Sequence, residues 1–200
     1  MISYVFLNKN EDIKLLKQSI KSIYEQLNDG DEIIVIDDST DKKQIEILKE
    51  FADEIIHPSE HVVMANKRLE GIWLSKNRIV ACCDTDTIYP NYYGEVILTA
   101  LKNFEAVHFK RKPLKPGILA TLDSELSVIY PYEHCLAFRL KEFCRAYKLL
   151  GEIPDVAGLR KVDVGIYAFL MKKIYVNDVI VHTRLPSSGY KLIFKNIINI

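Results

Sequence analysis

Two aspartates, Asp84 and Asp86, stand directly after an apolar run that reads as a buried strand. Side chains two residues apart on an extended chain point the same way, so both carboxylates can face one point. A second apolar run, Glu32–Ile36, ends in another acidic pair, Asp37 and Asp38. Hard oxygen ligands at strand ends suit a divalent cation that also holds phosphates. The spacing predicts one acidic cleft shared by the two strand ends.

Alternating strands and helices must position these residues. We predict strands at 2–7, 32–36, 54–56, 78–83 and 106–109, and helices at 11–27, 41–52, 63–75 and 92–103. Asn8 or Asn10 is the expected cap of the first helix. This alternation predicts a single α/β domain with a mostly parallel sheet and helices on both faces. Ligands of such sheets bind at the carboxyl ends of the strands.

The second half of the chain is less regular. We predict a strand at 126–130, a helix at 140–150 ended by Gly151, a helix at 163–172 and a strand pair or bent strand at 174–182. The apolar tail 190–200 can pack onto the sheet, mediate an oligomer or make peripheral membrane contact through its lysines. We expect packing, which is the commoner outcome.

Composition limits the class of protein. The 200 residues are 48% apolar and 27% charged, which is typical of one soluble globular domain. Lys plus Arg and Asp plus Glu both number 27, and this balance argues against a nucleic-acid partner. The four cysteines have no Cys-x-x-Cys spacing, and no apolar run approaches the roughly 18 residues of a membrane span. We expect a reduced, cytoplasmic protein that is at most peripheral to a membrane.

An ordered set of motifs resembles the nucleotide-binding half of family 2 glycosyltransferases, which have the GT-A fold. The set consists of a turn with Asn8 after the first strand, the acidic segment 37–41, the Arg-x-x-Gly-Ile segment 68–72, the Asp-x-Asp segment 84–86, and Pro90. The chain departs from the family at Leu7-Asn8, where Pro-Thr is common, and at Leu69, where Asn is common. The Gln-x-x-Arg-Trp motif of processive synthases is absent from the sequence, which favours transfer of a single sugar.

The resemblance implies a metal-dependent glycosyltransferase of the inverting type. Its donor would be a nucleoside-diphosphate sugar such as a UDP- or GDP-sugar, and its acceptor a hydroxyl of an unidentified glycan, glycolipid or protein. Residues 1–110 would form the nucleotide-sugar-binding half and residues 111–200 the acceptor-binding half. The basic segment 110–117 would face a phosphorylated or lipid-linked acceptor, or be a solvated loop.

The resemblance also assigns residues. The implied nucleotide-sugar-binding residues are Leu7, Asn8, Asn10, Asp38, Arg68, Asp84 and Thr85. The implied ligands of Mn²⁺ or Mg²⁺ are Asp84, Asp86 and His182. Asp163 is the implied general base, with Asp155 in reserve, although an aspartate before a helix can also be an N-cap. We expect structural roles for Asp37, which can cap the turn, and for His108, His134 and Trp73. Trp73 falls on the apolar side of its predicted helix, so we expect it in the core.

Two other functions remain open at this stage. Val80–Ile88 also resembles the first motif of haloacid-dehalogenase-like phosphatases, an apolar run followed by an Asp-x-Asp segment, in which Asp84 would be the nucleophile. That family needs its second acidic pair downstream, whereas Asp37 and Asp38 lie upstream. A domain that kept the nucleotide pocket but lost its catalytic general base would be a catalytically inactive binding module.

Overall fold

The computed structural model describes residues 1–58, 64–115, 117, 121, 125, 133–151 and 164–184. Within them the strands are β1 Ile2–Asn8, β2 Glu32–Asp37, β3 Glu54–Ile56, β4 Ile79–Asp84, β5 Thr87–Ile88, β6 Ala106–Pro113, β7 Leu136–Arg139 and β8 Lys173–Thr183. The α-helices are α1 Ile13–Tyr24, α2 Lys42–Lys49, α3 Met64–Leu74, α4 Tyr93–Ala100 and α5 Leu140–Gly151. The 3₁₀ helices are η1 Glu133–Cys135 and η2 Val164–Leu170. The strand predicted at 126–130 and the tail 190–200 lie outside the described residues.

The strands form one sheet in the order β3-β2-β1-β4-β7-β6-β8-β5. The first four are parallel, β7 is antiparallel to both its neighbours, β6 and β8 are parallel, and β5 is antiparallel to β8. Strands from both halves of the chain therefore share one mostly parallel sheet. The fold class predicted from the sequence is confirmed.

Helices cover both faces of the sheet, as the residues of β1 illustrate. Tyr4 and Phe6 belong to a core cluster that includes Leu16 of α1, whereas Val5 belongs to a second cluster that includes Ile72 of α3. Alternating side chains of one strand thus enter two separate cores. Burial on both faces explains why these strands are continuous apolar runs in the sequence.

Several predicted boundaries change. The cap of α1 is Asp12, whose side chain accepts a hydrogen bond from the Leu15 N–H at 3.0 Å, and neither Asn8 nor Asn10 has that role. Strand β6 continues to Pro113, so residues 110–113, which we assigned to a loop, are paired with β8. Of the α-helix predicted at 163–172, residues 164–170 form the 3₁₀ helix η2 instead. Strands β5 and β7 were not predicted, because they are too short to show a periodic pattern.

Among the described residues, every helix is too short or too polar to span a membrane.

Candidate active site

The two acidic strand ends meet at one edge of the sheet. In the register of the neighbouring parallel strands, Asn8 lies opposite Asp37 on one side of β1, and Leu7 lies opposite Asp84 on the other. A cleft of about 190 Å³ opens at this edge. It is lined by Leu7, Asn8, Lys9, Glu11, Lys67, Asp84, Thr85, Asp86 and Arg184. Of the two acidic strand ends, that of β4 lines the cleft through Asp84 and Asp86, whereas neither Asp37 nor Asp38 is among its lining residues.

The side chain of Asn8, at the end of β1, connects the ends of β2 and β4. Its buried amide donates to Asp37 Oδ1 at 2.8 Å, and its Oδ1 accepts from Thr85 Oγ1 at 2.8 Å. The Thr85 hydroxyl also lies 3.1 Å from the carbonyl oxygen of Leu7. Asp37 accepts from the Ser39 N–H at 3.1 Å, which is the turn-capping role expected of it. These contacts fix the spacing between the acidic ends of β2 and β4.

Asp38 is held as a carboxylate by two lysines. Its Oδ2 accepts a hydrogen bond from the nearly buried Lys67 and lies 3.2 Å from Lys9 Nζ. The hydrogen bond from Lys67 is the largest cause that lowers the pKa of Asp38 below its usual value. Both lysines line the cleft, whereas Asp38 is not among its lining residues, so the carboxylate is connected to the cleft through these lysines.

Arg68 lies under the cleft and supports Asp84. The guanidinium is fully buried and donates to the carbonyl oxygens of Val5 and Cys83 and to Asp84 Oδ1. We expected Arg68 to give a direct positive contact to a ligand. Because its side chain has no exposed surface and lies beneath β1 and β4, the arginine positions Asp84 instead.

His134 lies beside the same aspartate. Its Nδ1 is 3.6 Å from Asp84 Oδ2, and burial lowers the pKa of His134 to about 4. The imidazole is therefore neutral near neutral pH, so the contact is not a full ion pair. We expected only a structural role for His134, whereas the structure places it beside the carboxylate of Asp84.

Asp86 faces two other carboxylates and an arginine. Burial, followed by the charges of Asp84 on β4 and Glu11 ahead of α1, raises the pKa of Asp86 to about 7. Arg184, just after β8, acts in the opposite direction: its Nη2 is 2.6 Å from Glu11 Oε2, and its Nε is 3.9 Å from Asp86 Oδ2. Arg184 thus spans the acidic wall of the cleft.

The remaining predicted site residues lie elsewhere. His182 lines a second cavity on β6 and β8 and is not among the residues that line the cleft with Asp84 and Asp86, so the expected set of three metal ligands is not assembled. Burial, followed by the charge of Lys112, lowers the pKa of His182. Asn10 locks the loop after β1, because its Oδ1 accepts from the Thr40 N–H at 2.9 Å. Asp155 and Asp163 lie outside the described residues.

Trp73 does not occupy the core position that we expected. Its side chain is 47% exposed, and its ring centroid lies 5.8 Å from that of Phe143 and 5.3 Å from that of Tyr147. The indole covers the outside of the second core cluster.

The donor set fits a divalent cation only in part. Within the described ranges, no group of three or more His, Cys, Asp and Glu side chains could hold a metal ion. Asp84 and Asp86 both line the cleft, however, and Mg²⁺ is commonly held by one or two carboxylates with phosphates and water completing its shell. The residues therefore fit a cation whose coordination a diphosphate ligand completes.

Four residues of the cleft were missed in the sequence. Lys9, Glu11, Lys67 and Arg184 all line it. Lys67 had a usable signal, since it precedes the arginine of a recognised motif. Glu11 and Arg184 had none, because the pairing of residues 173 positions apart depends on strand order.

Comparisons with known proteins agree with this fold. The family model described as Glycosyl transferase family 2 matches residues 3–163. TarS from S. aureus superimposes with a TM-score of 0.69 at 14% identity, over 92% of this chain and 36% of TarS. TarS 1-349 in complex with UDP-GlcNAc gives a TM-score of 0.67 at 13% identity, over 93% of this chain and 59% of that one.

A third structure is the mannosyltransferase PcManGT from Pyrobaculum calidifontis, in complex with GDP-Man and Mn²⁺. Its TM-score is 0.66 at 19% identity, over 94% of this chain and 58% of PcManGT. No curated protein matches the chain significantly. At these identities the similarity shows the GT-A fold, and the chain spans well under two thirds of each of these three structures.

Proposed function

Because the chain belongs to glycosyl transferase family 2, we propose that it transfers one sugar from a nucleoside-diphosphate sugar to an acceptor hydroxyl, with inversion at the anomeric carbon and with a divalent cation. One observation carries this proposal. The acidic ends of β2 and β4 flank the end of β1, beside a cleft lined by Asp84, Asp86, two lysines and an arginine.

Asp38 and the two lysines that contact it suit the two ends of a nucleotide. Asp38, kept ionised by Lys67 and Lys9, can accept hydrogen bonds from the N–H groups of a nucleobase. The lysines present positive charge to the phosphates. The structure of TarS 1-349 contains UDP-GlcNAc and that of PcManGT contains GDP-Man, which supports a UDP- or GDP-sugar as the donor here.

Asp84 and Asp86 would hold the cation, with Arg68 fixing the orientation of Asp84. A bound Mn²⁺ or Mg²⁺ would supply Lewis-acid stabilisation of the negative charge on the departing diphosphate. The Mn²⁺ in PcManGT supports this assignment. Asp163 would accept the proton of the attacking acceptor hydroxyl.

Thermal unfolding with UDP-, GDP- and dTDP-sugars, each with and without Mn²⁺, tests the donor site. A ligand of the folded state at about a hundredfold its Kd stabilises by about 2.7 kcal/mol. We expect a cation-dependent rise in Tm with one nucleotide class, and its loss in Asp86→Asn. Asp178→Asn is the matched control, because Asp178 is an exposed carboxylate on β8.

Turnover separates the remaining functions. Sugar transfer, or slow hydrolysis of the donor, that disappears in Asp163→Asn supports the transferase. Nucleotide binding without any turnover would identify an inactive binding module. Hydrolysis of an aryl phosphate without nucleotide binding would instead support the phosphatase.

A further inference from the structure

A second cavity, of about 570 Å³, lies along β6 and β8. Its polar lining consists of Lys110, Lys112, Thr121, Glu125 and His182. This volume is in the range of sites for small molecules. The cavity has no part in the donor site described above.

The register of β6 and β8 explains why basic groups meet here. Lys110 is opposite Ile180 and Lys112 is opposite His182. Residues two apart on a strand share one face, so both lysines and the histidine project from the same side of the sheet. In the described part of the chain, neither lysine is within ion-pair distance of a carboxylate. Glu125 is the one acidic residue in the lining, so two lysines leave an excess of positive charge.

The cavity adjoins the donor cleft. His182 and Arg184 are two residues apart on the chain, and the side chains of both are at least partly exposed. The side chain of Thr183 between them is buried. The Arg184 N–H donates to the Asp86 carbonyl oxygen at 3.0 Å, so the end of β8 is fixed to the acidic turn. Two residues of extended chain span roughly 6–7 Å. A molecule in the cavity is thus within reach of a donor in the cleft.

We infer that this cavity binds a phosphate group of the acceptor and so holds the acceptor's hydroxyl over the donor cleft, an inference that rests on the proposed transferase function. Lys110 and Lys112 supply ammonium groups, which bind phosphate as point charges. The hydroxyl of Thr121 and the ring of His182 can add hydrogen bonds. Glu125 can accept from a hydroxyl of the same molecule.

Calorimetric titration with glycerol 3-phosphate tests the inference, with UDP or GDP present to fill the donor cleft. We expect binding by the wild type and a loss of about tenfold in affinity for each lysine removed in Lys110→Gln/Lys112→Gln. Lys110→Arg/Lys112→Arg keeps the charge and should keep the binding. Lys115→Gln removes an exposed lysine of the same segment outside the cavity lining, and should leave the affinity unchanged.

The source of the phosphate is resolved by co-sedimentation with vesicles. Binding to phosphatidylglycerol vesicles but not to phosphatidylcholine vesicles, lost in the double glutamine variant, assigns a lipid headgroup. Binding of glycerol 3-phosphate without vesicle binding assigns a soluble or polymeric phosphate ester. Either result supports a phosphate-bearing acceptor.

Equal affinity of the wild type and the double glutamine variant overturns the inference. So does a wild type that binds the nucleotide but not glycerol 3-phosphate, and in both cases the transferase function stands. Failure of the wild type to bind any nucleotide diphosphate overturns the proposed function and this inference with it.

Discussion

Lys67 and Arg68 are adjacent in the sequence, yet they support different parts of the cleft. Lys67 reaches Asp38 at the end of β2, whereas Arg68 turns under the sheet to Asp84 at the end of β4. Both basic groups are largely buried and are compensated by carboxylates. Single substitutions at such pairs have large effects, since a remaining buried charge loses its partner.

The pair at Asp38 gives a direct spectroscopic prediction. Lys67→Met keeps an apolar side chain of similar length and removes the ammonium group. We expect the pKa of Asp38 to rise toward its ordinary value, because the main hydrogen bond that lowers it is lost while Lys9 remains. The measurement is an NMR titration of the Asp38 carboxyl carbon. Lys76→Met, which removes an exposed partner of Glu32, is the control and should not move it. Identical Asp38 titrations in the two variants would contradict this.

Asp86 gives a prediction about stability and pH. Its pKa in the folded protein is about 7 and its ordinary value is 3.8, so the folded state binds the proton more tightly than the unfolded state. The resulting stabilisation is complete below pH 3.8 and is lost as the pH rises toward about 7, at no more than about 1.4 kcal/mol per pH unit.

Urea unfolding of the metal-free protein across this pH range measures the effect. The free energy of unfolding of the wild type should fall with rising pH relative to that of Asp86→Asn, which carries no titratable group at this site. Asp178→Asn should follow the wild type. Parallel profiles for the wild type and Asp86→Asn would show that burial of Asp86 does not shift its titration.

Among the helices, α3 depends most directly on a close approach to the sheet. A Cβ atom at Gly71 would lie 2.3 Å from Val5 Cγ1 of β1 and 3.3 Å from Ile36 Cγ1 of β2. The helix can therefore rest directly on these strands only where it has no side chain. This contact sets the distance between α3, which carries Lys67 and Arg68, and the strand ends that these two residues support.

Gly71→Ala tests this dependence. In an exposed helix this change stabilises by about 0.5–1 kcal/mol. Here we expect it to destabilise by about 1–3 kcal/mol, because the methyl group pushes α3 away from β1. Donor affinity should fall as well, since Lys67 and Arg68 move with the helix. Urea unfolding and nucleotide titration measure the two effects. Asn66→Ala, at an exposed position of α3, should change neither, and a Gly71→Ala protein as stable as the wild type would refute the argument.

Across the whole molecule, the cleft combines distant parts of the chain. Glu11 lies near the first strand and Arg184 follows the last described strand, and their ion pair closes the acidic wall. Among the residues that the structure describes, three basic and three acidic side chains line the cleft, so their formal charges sum to zero, as do those of the whole protein. Balanced charges of this kind suit a ligand that carries both phosphates and a cation.

Hydrogen exchange should show that ligand binding protects segments from both ends of the chain. On addition of the nucleotide that binds, together with Mn²⁺, we expect slower exchange in peptides that cover 7–12, 36–40, 84–88 and 182–184. Ligand binding stabilises the folded state against the local openings that expose these amides. Helix α5 contributes no residue to the lining of the cleft and serves as the internal control. Protection confined to one half of the chain would contradict a cleft built from both ends.

The sequence by itself determined the local parts of this protein. Apolar runs of strand length, each followed by acids, placed Asp38, Asp84 and Asp86 at strand ends, and the helix–strand rhythm placed those ends at one edge of a sheet. Such features are readable because side-chain period and hydrophobicity act over a few neighbouring residues. The family motifs extended that reading to Asn8, Arg68 and Thr85.

Only the tertiary structure decided which distant side chains meet. Burial of Arg68 beneath Asp84, the contact of His134 with the same carboxylate, and the position of His182 in a separate cavity all follow from strand order and register. The two short strands β5 and β7 set that order, yet they contain too few residues to form a pattern. Contacts between residues far apart in the chain depend on how the whole sheet assembles, and no local period encodes that assembly.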